Sequence, residues 1–206
     1  MTVAIAIADR EGFEAVSMRR VARELGVGAM TLYHHVADKD ELVALMADAI
    51  SAEMLVPDPM PAGWRAALRA IEHRTRETFL RHPWLISTVD QVSRPTLNGL
   101  RHVEQSAGAV AELEAEGDLG VRLLFAADDY TFGYVLRETV MAGVGPQGAE
   151  PFTVPADLQE AIDGGEFPIV SQWIAAGGTL ELPSDRFEVG LEALFDGFEV
   201  LRTRRR

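Results

Sequence analysis

The chain has 206 residues, 48% hydrophobic and 25% charged, with a formal net charge of −13. That length can bury a sizeable core as one or two domains, and the composition is ordinary for a globular fold. There are no cysteines, which excludes disulfides and thiolate chemistry and fits a reducing cytoplasm. The acidic balance gives no electrostatic footprint for nucleic acid.

The opening MTVAIAIADREGF has an apolar run too short to span a membrane and lacks a basic flank, so it reads as a first helix rather than a signal. Ser17 then precedes the run Met18, Val21, Ala22, Leu25, whose spacing is helical and which Ser17 can cap. The run stops at Leu25-Gly26-Val27-Gly28, where two glycines permit a tight corner, and a second short helix is expected from Ala29 to about His35. Asp38 caps a third helix that opens with acidic residues at its positive end. Two short helices around a glycine turn form a helix-turn-helix, whose second member enters the DNA major groove. Residues 1–50 nonetheless carry five Lys or Arg against eight Asp or Glu, so non-specific affinity should be weak and salt-sensitive. Arg19, Arg20, Arg23 and Lys39 lie on or beside the two helices.

Further along, Leu42, Leu45, Met46, Ala49, Ile50 and Met54 share one face of a helix from about Asp40 to Leu55, which breaks at Pro57-Asp58-Pro59-Met60-Pro61. Helices follow from Trp64 to His82, from Pro95 to about Glu116 with a break near Gly108, and from Asp118 to about Ala142. The last of these is apolar on all sides and should be buried from several directions. Short helices at about Ala156 to Asp163 and Ile169 to Ala176 precede a final helix capped by Ser184. No strand pattern appears. The expected fold is all-α: a three-helix DNA-binding domain over 1–50 and a helical effector-binding and dimerisation domain over 51–206.

The string Leu25-Gly-Val-Gly-Ala-Met-Thr-Leu-Tyr-His-His-Val-Ala-Asp-Lys39, followed by Glu41-Leu42, strongly resembles the DNA-binding domain of the tetracycline-repressor (TetR) family. The resemblance implies that Ala29, Met30 and Thr31 face base edges or nearby backbone. Tyr33 and His34 would reach phosphates and bases, His35 and Lys39 would extend the backbone clamp, and Ser17 and Arg19 would hold the opposite rim. That chemistry is sensible, since hydroxyls and lysine bind phosphate, arginine binds phosphate or guanine, and small apolar groups meet thymine methyls. Ala29 and Met30 offer few base-edge donors, which shifts specificity toward Arg19, His34, water or DNA shape. The core reading of the same residues stays open for Tyr33, as packing, and for His35, as a helix C-terminal cation.

In the final helix, Phe187, Leu191, Leu194, Phe195, Phe198 and Leu201 recur at spacings of three and four. The resemblance implies that this helix and the long one before it pair with their copies in a homodimer; the stripe could instead complete the core of one chain. Candidate effector contacts are His73, Trp84, Asp90, Asp128, Asp129, Tyr130 and Trp173, with solvated rim or core packing as the alternative for each. Tetracycline-binding members hold a magnesium-drug complex through a histidine before an Arg-Pro pair and a carboxylate in the long helix. Alignment on Arg94-Pro95 and on Thr131-Phe132-Gly133 puts Asp90 and Arg137 there, so tetracycline is not the expected effector, and no cofactor or metal is expected.

Function is therefore expected to be that of a ligand-responsive regulator, a repressor released from palindromic DNA by a small molecule. An enzyme is the competing class, but no histidine follows a Glu at the three-residue spacing of helical-bundle metal sites, and no phosphate loop, nucleophile elbow or HExxH occurs. A helical adaptor or a small-molecule-binding protein without DNA function remains open.

Overall fold

The computed structural model describes residues 1–88, 95–116, 118–141, 155–175 and 185–204. Its helices are α1 (Thr2–Glu11), α2 (Met18–Glu24), α3 (Ala29–Tyr33), α4 (Lys39–Met54), α5 (Trp64–Arg81), α6 (Leu97–Val110), α7 (Leu119–Met141), α8 (Ala156–Asp163), α9 (Pro168–Ala175) and α10 (Arg186–Arg204). Short 3-10 turns occupy Phe13–Ala15, Pro83–Thr88 and Ala111–Glu116. No strand occurs among the described residues, and no helix there is long and apolar enough to cross a membrane. The expected Ser184 cap lies outside the described residues.

Local chemistry sets the helix starts. Ser17 Oγ accepts from the Arg20 amide at 3.2 Å and Asp38 Oδ1 from the Glu41 amide at 2.8 Å, while Glu41 Oε2 reaches back to the Ala37 amide at 2.6 Å. These bonds satisfy the Glu41 amide of the first turn and the Ala37 amide just before the cap. The glycine corner differs from expectation: Gly26 has φ 69, whereas Gly28 is extended at φ −68 and caps α3. One left-handed residue is enough for the turn, and the second glycine only starts the next helix. Helix α3 is also shorter than expected, ending at Tyr33 with His34 as its C-cap.

Two apolar clusters organise the chain. The first joins α1 to α4 through Ile7, Phe13, Val21, Leu32, Leu42, Met46 and Ile50, and it also takes in Trp84 and Leu85 from the turn after α5. Met54 and Phe79 pack against its edge, so the reading head is seated on residues well beyond 50. The second joins Leu68, Val110, Leu113, Leu123, Leu124 and Ala127 to Phe187, Leu191 and Phe195.

That second cluster takes up part of the stripe expected at a dimer interface. Phe187, Leu191 and Phe195 are 3%, 0% and 0% exposed within a single chain. They point into the protomer's own core because α10 packs along α5 and α7. Phe198 packs partly against the same cluster and Leu194 is half-buried, leaving Leu201 as the exposed member of the stripe. Arg65, Arg69 and His73 of α5 meet Glu192, Asp196 and Glu188 of α10 in an ion-pair ladder beside this core.

Candidate nucleic-acid interface and buried polar site

The reading head is held from behind. Leu32 and Val36 are buried, which turns Met30, Thr31, Tyr33, His34 and His35 to the surface. Met30 is 72% exposed, the most open large apolar side chain of α3. Ala29 is half-buried and packs on the core, so Met30 and Thr31 form the tip. Arg19 and Arg23 are exposed and have no acidic partner among the described residues, whereas Arg20 is engaged by Glu11 and Glu24. Lys39 keeps an exposed ammonium 5.3 Å from the Phe13 ring centroid. The Ser17 hydroxyl uses its oxygen for the cap and keeps its hydrogen to donate. Ser17, Arg19, Met30, Thr31, Tyr33, His34, His35 and Lys39 are thus on one small domain with their polar atoms open to solvent, the arrangement a phosphate-and-base reader needs.

The expected effector residues scatter. Trp84 belongs to the first cluster: its indole stacks on Phe13 at 5.6 Å and donates to Asp9 at 2.7 Å. The turn that Pro83 opens after α5 packs against α1, which seats Trp84 and Leu85 in the first cluster. His73 is half-exposed, 2.6 Å from Glu188 and edge-on to Phe187. Tyr130 Oη lies 3.1 and 3.0 Å from the Arg186 and Phe187 carbonyls, to which it donates, so it fastens α7 to α10. Asp129 is exposed. Asp90 lies outside the described residues, as does the side chain of Trp173. Only Asp128 remains at an enclosed polar position.

Asp128 leads to a site that sequence reading missed. The Trp64 amide at the start of α5 donates to Glu112, in the 3-10 turn that follows α6, at 2.7 Å, so the start of α5 lies beside the end of α6. Leu68, Val110, Leu124 and Ala127 share the second cluster. One helical turn beyond each stand Glu72 on α5, Ser106 on α6, and Asp128 and Thr131 on α7. His102 stands a further turn along α6. Glu72 is 0% exposed, and both its carboxylate oxygens lack a hydrogen-bond partner. So do Thr131 Oγ1, Ser106 Oγ and His102 Nδ1. Thr131 and Asp128 lie close enough to perturb the Glu72 carboxyl without meeting it in hydrogen-bond geometry. Burial, reinforced by the Asp128 charge, pushes the Glu72 carboxyl up to about 8; burial also raises Asp128 and lowers His102. Among the described residues no group of three or more His, Cys, Asp and Glu could hold a metal. The sequence signal for Glu72 was available, since it interrupts the apolar spacing Trp64, Leu68, Ile71 on α5.

Helix α6 carries this layer to α4. Asn98 bonds Asp48 through its amide and its Nδ2, each at 2.8 Å, and Gln105 exchanges two bonds of 2.9 Å with the backbone of Val56. On α7, Phe132 follows Thr131 and meets Phe79 edge-on at 5.8 Å, and Phe79 packs against the reading-head cluster. A separate groove of about 390 Å³, lined by Met60, Trp64, Ala67, Gln105, Ala109 and others, opens beside the domain connection.

Comparison with known proteins follows the same division. Residues 1–46 match the family of bacterial regulatory proteins called tetR, and residues 56–202 match the tetracyclin repressor-like C-terminal domain. The chain is 34% identical over 211 residues to the HTH-type transcriptional repressor DrrR1 of Streptomyces coeruleorubidus, covering 98% of this chain and 77% of that protein. An HTH-type transcriptional regulator of Saccharopolyspora erythraea is 32% identical over 143 residues, covering 68% and 59% of the two chains. Among solved structures, ActR of Streptomyces coelicolor in complex with actinorhodin superposes with a TM-score of 0.72 at 27% identity, covering 98% of this chain and 95% of ActR. Members of this family bind operator DNA, dimerise and respond to small molecules, and they are not enzymes. The chain belongs to the TetR family of DNA-binding transcriptional regulators.

Proposed function

We propose that the protein is a homodimeric repressor that holds a palindromic operator and releases it when a small molecule binds among α5, α6 and α7. The observation that carries this reading is the pairing, in one chain, of an open reading head with a layer of unpartnered polar atoms linked to it by α6. ActR supports it as a similar protein whose solved complex contains the small molecule actinorhodin. A cytoplasmic location follows from the DNA target.

Arg19, Thr31, Tyr33 and His34 read or clamp the groove, with Ser17, His35 and Lys39 on the phosphates and Met30 meeting thymine methyls. Ala29, being half-buried, spaces α3 from its own core. The dimer seam lies on the outer faces of α7 and α10. There Phe125 is 62% exposed and Val121, Val189, Val200 and Leu201 are also open. A second copy covering these faces must hold the two heads about one DNA turn, roughly 34 Å, apart to engage successive major grooves. Ligand entering the polar layer displaces α6, and its bonds to Asp48 and Val56 pull α4 like a lever. Selection of binding sites from random DNA with the purified protein tests this: a (pseudo)palindrome should be enriched at low salt. No enrichment, with Tyr33→Ala indistinguishable from wild type, would overturn it.

A further inference from the structure

We propose that the layer formed by Glu72, Asp128, Thr131, Ser106 and His102 recognises a protonated amine, so that the effector is a cation carried on an apolar body. This rests on the ligand-responsive reading above.

The argument is one of unmatched chemistry. Glu72 is fully enclosed, and the one charged group bearing on its carboxyl is another acid, Asp128. Three arginines of α5, the helix that carries Glu72, are engaged elsewhere, Arg76 with Glu138, Arg65 with Glu192 and Asp196, and Arg69 with Glu188 and Glu192, and no arginine bears on the Glu72 carboxyl. An anionic effector would meet like charge here. A neutral one would bring no charge to balance the acid pair Glu72 and Asp128. A protonated amine brings up to three donors and a positive charge, and the groups awaiting a partner can all accept: Glu72 Oε1 and Oε2, Thr131 Oγ1, Ser106 Oγ, and the neutral His102 ring at Nδ1. Leu68, Val110, Leu123 and Leu124 pack together next to this layer, and such side chains suit a hydrocarbon or aromatic body. Without a cation, burial keeps Glu72 protonated at neutral pH. An arriving ammonium would ionise the carboxyl and send that proton to solvent.

The test uses amines paired with neutral twins: tryptamine and tryptophol, 1-aminoadamantane and 1-adamantanol, and 9-(aminomethyl)anthracene and 9-anthracenemethanol. Calorimetry on the full chain, in buffers of different ionisation enthalpy, reads affinity and proton release together. Amines should bind about tenfold or more tightly than their twins, with release of up to one proton. Glu72→Gln should abolish the release and most of the preference, and Asp128→Asn, a second isosteric change, should weaken the same preference. Equal binding of amines and twins, amine binding without proton release, indifference to both substitutions, or no amine binding would overturn the proposal. Release of the selected DNA separates the two readings. Neutral twins that release DNA as well as amines remove the cation assignment and leave ligand response standing. Amines that bind with proton release but never release DNA retain the cation site and remove ligand response.

Discussion

The Trp84 indole donates to the Asp9 carboxylate at 2.7 Å, and His82 Nδ1 meets the same oxygen at 2.6 Å, so one acid of α1 holds both ends of the exit from α5. The first helix of the reading head is thereby fastened to the second domain. Trp84→Phe keeps a ring against Phe13 but removes the donor, and should lower stability by about 1 kcal/mol in urea unfolding. Trp84→Ala also opens a cavity and should cost about 3–5 kcal/mol. Equal effects of the two would show that the indole N–H is irrelevant.

The two glycines of the corner should respond differently. Gly26 has φ 69, so Gly26→Ala forces a side chain into the left-handed region and should cost about 1 kcal/mol. At Gly28, a Cβ would meet nothing nearer than Thr31 Oγ1 at 3.7 Å. Gly28→Ser should therefore be tolerated and gain a few tenths of a kcal/mol as a helix cap. Paired thermal melts of the two variants decide this.

Arg19 and Tyr33 are exposed and outside the apolar cores, so alanine there should leave the melting temperature within about 2 °C of wild type. Operator affinity should fall tenfold or more, by about 1–3 kcal/mol per contact. For Arg19→Ala, a phosphate contact predicts a salt slope smaller by about one, whereas a base contact predicts relaxed selectivity at one position. Fluorescence anisotropy across salt concentrations distinguishes them.

Phe125 and Phe195 separate association from folding. Phe195 is fully buried beside Trp64, and Phe195→Ala should destabilise the chain by about 3–5 kcal/mol. Phe125→Glu places a charge on an open face, so it should yield a folded monomer by sedimentation velocity. A Phe125→Glu protein that remains dimeric would remove that face from the seam.

Glu72 makes stability depend on pH in a defined direction. Its carboxyl is raised in the folded state from about 4.5 to about 8, because burial penalises the charged form. The folded chain therefore holds the proton more tightly than the unfolded one, and this contribution is complete below about pH 4.5 and is lost as pH rises toward about 8. Glu72→Gln should flatten the fall in urea midpoint across that window. An unchanged profile would place the ionisation elsewhere.

The helices, the glycine corner and the family were legible in the sequence because each depends on neighbours in the chain. Caps at Ser17 and Asp38, the proline break after α4 and the spacing of apolar residues are local signals, and α8 lies where the sequence placed it. The partners of those apolar residues were not legible. Helical period shows that Phe187, Leu191 and Phe195 share a face, but not whether that face meets α5 and α7 of the same chain or a second copy. Nor does the sequence show that the turn after α5 seats Trp84 in the first cluster. Glu72 interrupts the apolar spacing of α5, but spacing does not say that its carboxyl is enclosed. The crossing of α5, α6 and α7 leaves it buried one turn from Leu68, beside Asp128 and Thr131, since burial is a property of packing and not of spacing. Sequence alone thus determined what kind of regulator this is, and tertiary structure decided where its carboxyl group is buried.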